Sequence, residues 1–307
     1  MSYSNSIIFG PIPSRRFGIS LGIDLSPGKK QCNFDCLYCE LEGAKTVDKM
    51  DEYPSVENII NEIKNSFKTH HKIDVITLTA NGEPTLYPKL DELINEINKI
   101  KANTKTLILS NGSTIYKKEI YDALLKIDIV KLSLDCISEK CFKKLDRVNN
   151  SVETQKIVPA MIDFSRQTKN DLVLEILFVK DLNDKIDEIE LLNKAINQIK
   201  PKRVDIGTID RPPAYQVKPV TYEFLEDVAS KFKNINVNIV YKNRPKSMQT
   251  YSEDEIIKML KRRPLTAEDI ENMFDNQSKM TLDDLIKSNI ITIVNSSGVE
   301  FYKNLLK

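Results

Sequence analysis

The chain has 307 residues, with 45 Lys and Arg against 44 Asp and Glu, 41% hydrophobic residues, 29% charged residues and five cysteines. This length exceeds one average domain, and a net charge of +1 excludes a global electrostatic attraction to nucleic acid or anionic lipid. No apolar run approaches the roughly 20 residues of a membrane helix, and the opening MSYSNSIIFGPIPSRR lacks a basic leader followed by an apolar segment, so a cytoplasmic protein with reduced thiols is expected.

In chain order, short apolar runs predict strands at 18–25 (GISLGIDL), 73–80 (IDVITLTA), 105–110 (KTLILS), 128–135 (DIVKLSLD), 172–179 (LVLEILFV) and 203–209 (RVDIGTI). Between them VENIINEIKNSF and LDELINEINKI repeat apolar residues at three and four residue spacing, which predicts crossover helices, the first starting near Pro54 and Ser55. This alternation gives an α/β fold with parallel strands, either a doubly wound sheet or a β/α barrel. Past about residue 245 the pattern changes to helical stretches near 252–262, 266–275 and 279–288, followed by a hairpin in ITIVNSSGVEFY. Ser252 with Glu255 and Thr266 with Asp269 read as capping boxes. Two domains are therefore expected: a barrel over 1–245 and a small winged helix-turn-helix domain over 246–307, divided near KNRPKSM.

Each predicted strand runs directly into a polar or Gly/Pro-rich segment: NGEPT, SNGS, SLDC, KDLND and DRPPA. In parallel α/β folds that edge binds ligands. Lys131, Ser133 and Asp135 alternate along one strand and so share a face, and a Lys inside an apolar run requires a buried partner or a ligand. Glu175 is the single charge of LVLEILFV, which suits a cofactor or substrate contact, with a structural ion pair as the alternative. Asn183 and Arg211 stand at strand ends as site or loop residues, the guanidinium being suited to a carboxylate or phosphate. Arg15 and Arg16 read as a phosphate contact near the barrel mouth or as solvated loop residues.

The segment QCNFDCLYCE gathers Cys32, Cys36 and Cys39 at C-x3-C-x2-C spacing just after the first predicted strand. Thiolates are the ligands iron-sulfur clusters require, and three of them leave one iron of a cubane open to a small chelating cofactor. Structural zinc is the competing reading, but it wants four ligands. The two histidines, His70 and His71, fall near the end of the first crossover helix, and Cys136 and Cys141 lie a hundred residues away as incidental thiols.

With Tyr38 as the aromatic residue before its last cysteine, this motif resembles the signature of the radical S-adenosylmethionine (radical SAM) superfamily, and the resemblance runs to about residue 240. It implies a partial (β/α)6 TIM-like barrel. It also implies a [4Fe-4S] cluster on Cys32, Cys36 and Cys39, S-adenosylmethionine held at the open iron, and an electron donor such as flavodoxin or ferredoxin. One electron then breaks the bond from sulfur to the 5′ carbon, and the 5′-deoxyadenosyl radical abstracts a substrate hydrogen. By the same resemblance Asn81, Gly82 and Glu83 contact the cofactor's amino group, largely through backbone carbonyls. Ser110, Asn111, Ser133 and Asp135 match positions that contact its ribose or carboxylate, and Tyr38, Glu175, Asn183 and Arg211 complete the candidate cofactor-binding set.

The opening FGPIPSRRFGISLGIDL and the later RPPA resemble a subgroup related to wyosine-type tRNA base synthases, although no cysteine precedes Cys32 to hold the second cluster those enzymes carry. This resemblance implies a tRNA substrate. A peptide or protein modifier, or a glycyl-radical-type activase with the winged domain as docking module, is the second expectation, and a cluster-bearing DNA-binding regulator the third. The winged segment mixes KRRP at 261–264 with many acidic residues and lacks a basic stripe.

Overall fold

The computed structural model describes residues 7–14, 16–70, 72–240, 248–262, 264–296 and 299–305. Arg15, His71, Arg263 and the expected domain boundary near 245 lie outside the described residues. The chain begins with β1 (Ile8–Ser14) and β2 (Gly18–Asp24), and the cysteine loop follows. Then come α1 (Val56–Thr69), β3 (Val75–Thr79), α2 (Leu90–Ile100), β4 (Lys105–Ser110), α3 (Lys118–Leu124) and β5 (Ile129–Ser133). A short helix α4 (Glu139–Cys141) widens into a π turn over Phe142–Asp146. It leads to α5 (Thr154–Gln167), β6 (Asp171–Phe178), α6 (Ile186–Ile199), β7 (Arg203–Thr208), α7 (Tyr222–Lys231) and β8 (Val237–Ile239).

These strands form one eight-stranded sheet in sequential order, parallel from β2 to β8, with β1 antiparallel on the β2 edge. The six predicted strands are β2 to β7, and β1 and β8 extend the sheet at its two edges. Sequential parallel order with a helix on each crossover curls the sheet into the partial TIM-like barrel. The helices follow from their sequences. Ser55 accepts from the Asn58 amide to start α1, and Ile59, Ile60 and Ile63 turn its apolar stripe to the core.

Within the sheet, alternation separates two environments. Residues facing the helices, such as Ile76, Leu78, Ile108, Val130, Leu132, Leu174, Ile176, Val204 and Ile206, are completely buried. Residues facing the barrel interior form an apolar floor, where Phe17 packs on Val75, Leu107, Ile129 and Val173. Nearer the strands' C-terminal ends the interior positions Thr79, Leu109, Ser133, Glu175, Leu177 and Gly207 are all partly exposed, Leu109 by 37%. Periodic exposure inside an otherwise buried sheet marks a lumen accessible from the edge that carries the cysteine loop, and a separate cavity of about 590 Å³ opens at the opposite end beside Arg16, Phe17 and Lys105.

The remaining described residues form α8 (Glu253–Arg262), β9 (Leu265–Thr266), α9 (Ala267–Met273), α10 (Asn276–Lys287), β10 (Ile291–Ser296) and β11 (Val299–Asn304). Their antiparallel sheet has the order β10-β11-β9. Thr266 and Asp269 make a reciprocal capping box, and Ser252 and Glu255 exchange the same bonds. This unit has its own apolar core of Tyr251, Ile256, Leu260, Leu265, Phe274 and Leu282, into which Ile12 of β1 inserts.

Candidate active site

The loop after β2 carries Cys32, Cys36 and Cys39 as free thiols across the C-terminal edge of the sheet. Backbone bonds fix it from three sides. Gln31 pairs with the strand-like segment after β3, its amide donating to the Asn81 carbonyl at 2.9 Å while the Glu83 amide donates to Gln31 O at 3.0 Å. Asp35 and Leu37 donate to the carbonyls of Asp146 and Leu145 at 3.0 and 2.9 Å, and the Ala214 amide donates to Cys39 O at 2.7 Å. Gly82, at φ +142°, is required by the first of these contacts, since a Cβ there would lie 1.9 Å from the Gln31 carbonyl oxygen.

Each sulfur has its own polar surroundings. The Phe34 amide donates to Cys32 Sγ at 3.4 Å and Asn111 Nδ2 lies 3.8 Å from it. Asp146 sits 3.5 Å from Cys36 Sγ, and the half-buried Lys30 ammonium acts electrostatically on Cys39. Burial, reinforced by Glu83, pushes the Cys32 thiol up to about 12. Burial and then Asp146 hold Cys36 well above its ordinary value, and burial raises Cys39 despite the opposing charge of Lys30. Without metal these thiols keep their protons, so a soft cation must displace them.

A single tetrahedral ion at about 2.3 Å from each sulfur holds its ligands roughly 3.8 Å apart. Among the described residues, the one set of three candidate ligands within 4.8 Å of one another is Cys136, Cys141 and Glu188, and the three loop cysteines are spread more widely. They still lie close enough to act on one another's ionisation. Three soft donors at that spread fit a cluster better than zinc. His70 caps the end of α1 and belongs to no such set among the described residues.

The strand ends converge beside this loop. Glu83 is buried and accepts from Thr85 N, Thr85 Oγ1 and Ser110 Oγ with one oxygen, and from Asn111 N with the other. It thereby locks the end of β3 to the end of β4, and Asn111 in turn bonds Asn33 of the cysteine loop at 2.9 Å. Tyr38 donates to Asp135 at the end of β5, whose second oxygen accepts from Leu177 N at 2.6 Å. Burial pushes the Asp135 carboxyl up to about 7, and burial with the adjacent Asp135 raises Asp146 well above its ordinary value. Ser133 is half-buried on the lumen wall, and its hydroxyl has no hydrogen-bond partner among the described residues. Arg211 pairs with Glu40 at 2.8 Å, beside Cys39.

Several expectations change once the chain is folded. The side chain of Asn183 is fully buried and bonds only backbone, receiving from Val179 N and donating to the carbonyls of Asp135 and Leu177, so it clamps β5 to β6 and does not face the lumen. Arg16 is not at the mouth. It reaches in from the β1–β2 turn at the floor and pairs with Glu175 at 3.0 Å and Asp205 at 2.9 Å. Lys131 finds the same two carboxylates, so Glu175 sits in an ion-pair network while remaining 36% exposed to the lumen. Burial alone would raise Glu175, but Lys131 and Arg16 pull it down to about 2. Cys136 and Cys141 are not thiols; they form a buried disulfide under the π turn.

Sequence reading missed Lys30, Asp35, Asp146, Asp205 and Tyr215. Asp205, a lone charge in RVDIGTI, carried the same signal as Glu175. Asp35 gathers Tyr215, Arg147 and Lys30 at 2.6, 3.1 and 3.4 Å, a convergence of distant segments that leaves no mark in sequence.

Comparison with known proteins bears on this arrangement. Residues 29–192 match the family described as the Radical SAM superfamily. A UPF0026 protein of Helicobacter pylori (strain ATCC 700392 / 26695) is 41% identical over 299 residues, which is 96% of this chain and 97% of the relative. Among solved structures, a radical SAM methyltransferase from Sphaerobacter thermophilus superposes with a TM-score of 0.56 at 13% identity, over 73% of this chain and 67% of the other. Streptococcus suis SuiB bound to precursor peptide SuiA superposes with a TM-score of 0.55 at 17% identity. That match covers 69% of this chain and 47% of SuiB, so the chain spans about half of SuiB's length. The matched segment contains the whole cysteine loop and the ends of β3 to β6, and the chain belongs to the radical SAM superfamily as a UPF0026 protein, an enzyme family whose cofactors are a [4Fe-4S] cluster and S-adenosylmethionine.

Proposed function

We propose that Cys32, Cys36 and Cys39 ligate the cluster and that S-adenosylmethionine lies between it and the lumen, where it is cleaved reductively to start hydrogen abstraction from a substrate in the barrel. The observation that carries this reading is the wide trio of free thiols set against a lumen open at the same edge. When bound, the cluster supplies the single electron that breaks the cofactor's sulfur to carbon bond. The chain's own residues do the positioning. The Asn81–Glu83 segment and Asn111 hold the cofactor's polar end beside Cys32, with Glu83 keeping both strand ends in place. Ser133 offers the lumen an uncommitted hydroxyl for the ribose. Asp135 positions Tyr38 against the loop, and Glu175 with Arg211 borders the space left for substrate.

Residues 246–307 are assigned as a winged helix-turn-helix domain, in which α9 and α10 form the helix pair and β10–β11 the wing. A polypeptide substrate is favoured over tRNA by the charge of that pair. The exposed acids Glu268, Glu271, Asp283 and Asp284 outnumber Lys279 and Lys287, and the two lysines are held in ion pairs with Glu271 and Asp284 respectively. Such a surface repels phosphate. The RPPA segment, which suggested a tRNA enzyme, is used here to close the cysteine loop through Ala214 and Cys39.

Anaerobically reconstituted protein with a reductant is expected to convert S-adenosylmethionine into 5′-deoxyadenosine and methionine. Cys36→Ala should lose the activity along with the cluster's visible absorbance. Full turnover by that variant would overturn the assignment.

A further inference from the structure

The turn that follows α4 lies along the cysteine loop. Besides the two backbone bonds from Asp35 and Leu37, its Asp146 carboxyl is 3.5 Å from Cys36 Sγ and its Phe142 ring meets Phe34 edge-on at 6.5 Å. The inward side chains Cys141, Phe142, Leu145 and Asp146 are buried. Outward, Lys140, Lys143, Lys144 and Arg147 are exposed, with Glu139 as the one acid on that side of the segment. Glu139 pairs with Lys143 at 2.6 Å, and Arg147 is braced on Asp35 and over the Tyr215 ring. A chain of net charge +1 thus places four cations against one acid on a single turn beside Cys36.

The mount beneath this patch is firm. Ser138 caps α4, the buried Glu188 accepts from Ser138 N and Ser138 Oγ at 2.9 and 2.6 Å, and the Cys136–Cys141 disulfide closes the segment on itself. The four cations stand on the exposed side of the segment, whereas Cys141, Phe142, Leu145 and Asp146 are its buried side.

We propose that this basic turn is the docking surface of an acidic one-electron carrier protein of the ferredoxin or flavodoxin type, and that the electron enters the cluster past Cys36. The proposal rests on the cluster reading above. One electron leaves the reduced carrier and the oxidised cluster accepts it, with no bond made or broken. Electron-transfer encounters are small and transient, and a compact charged patch steers them while salt weakens them. RNA is the other partner a basic turn attracts, but tracking a phosphate backbone requires cations spread well beyond one turn.

The test uses the full chain with K140E and K144E combined. Both lysines are exposed and neither bonds the cysteine loop among the described residues. Cluster bleaching is followed after mixing with a reduced acidic ferredoxin, and separately with dithionite, at low and at high salt. The variant is expected to lose at least tenfold in ferredoxin-driven rate at low salt, the wild type to fall toward it at high salt, and the dithionite rate to stay unchanged. Equal ferredoxin rates in the two proteins would overturn the proposal. So would an equal fall in both rates, because the turn would then support the cluster without receiving a carrier. Unchanged ferredoxin rates together with lost tRNA retention on a filter would reassign the patch to RNA. A wild-type preparation that dithionite cannot reduce would strike at the cluster reading itself.

Discussion

Glu83 and Glu175 are both carboxylates on the barrel's inner architecture, and they do opposite things. Glu83 is surrounded by donors alone, so Glu83→Gln turns an amide against one of them. A loss of about 1–3 kcal/mol is expected for the buried donor left unmatched, read from urea midpoints, with a parallel loss of S-adenosylmethionine affinity. Glu175 is held at about 2 in the folded state against an ordinary value of 4.5. Between those values the unfolded chain binds the extra proton, so the stabilisation is complete above about pH 4.5 and declines as pH falls toward 2. Glu175→Gln should therefore cost more stability at pH 6 than at pH 3, and an equal cost at both would refute the charged network. The need for a partner at Glu175 was legible as a lone charge in an apolar strand. Its partners were not, because Arg16 lies 159 residues away in sequence.

Among the elements, the crossover helices and β2 to β7 follow from periodicity, since burial on one helix face or both sheet faces writes itself into residue order. The two edge strands do not. β1 contains Gly10, Pro11 and Pro13, which suppress its strand signal, and β8 has three residues, too few to show a period. The segment after β3, expected to contact the cofactor, also grips Gln31 through two backbone bonds. Gly82→Ala tests that role directly. With no room for a Cβ at 1.9 Å from Gln31 O, the cysteine loop must shift. Iron content after reconstitution is expected to fall below half of wild type, while far-UV circular dichroism stays unchanged. Normal iron loading would show that the loop tolerates the displacement.

At the scale of the molecule, two apolar cores meet at β1. Ile12 belongs to a barrel strand, yet it is buried in the core of the C-terminal unit. Ile12→Ala should cost roughly 2–5 kcal/mol, as for other buried large-to-small changes. The loss should appear in unfolding of the C-terminal unit, followed by amide hydrogen exchange in its helices against a barrel that still loads iron. An unaltered C-terminal transition would mean that β1 contributes nothing to that core. The same joint ties the C-terminal unit to the edge strand of the barrel.

Local order alone marked the cysteine loop as a candidate soft-metal site and gave the α/β alternation and the polar strand ends, because ligand spacing and one-dimensional burial patterns are properties of neighbouring residues. Tertiary structure alone decided the use of Asn183 as a clamp, the withdrawal of Arg16 to the floor, the Cys136–Cys141 bridge and the basic turn beside Cys36. Each of these depends on which distant segments the curled sheet brings into contact, and charge pairing across such distances leaves no periodic trace in a single chain.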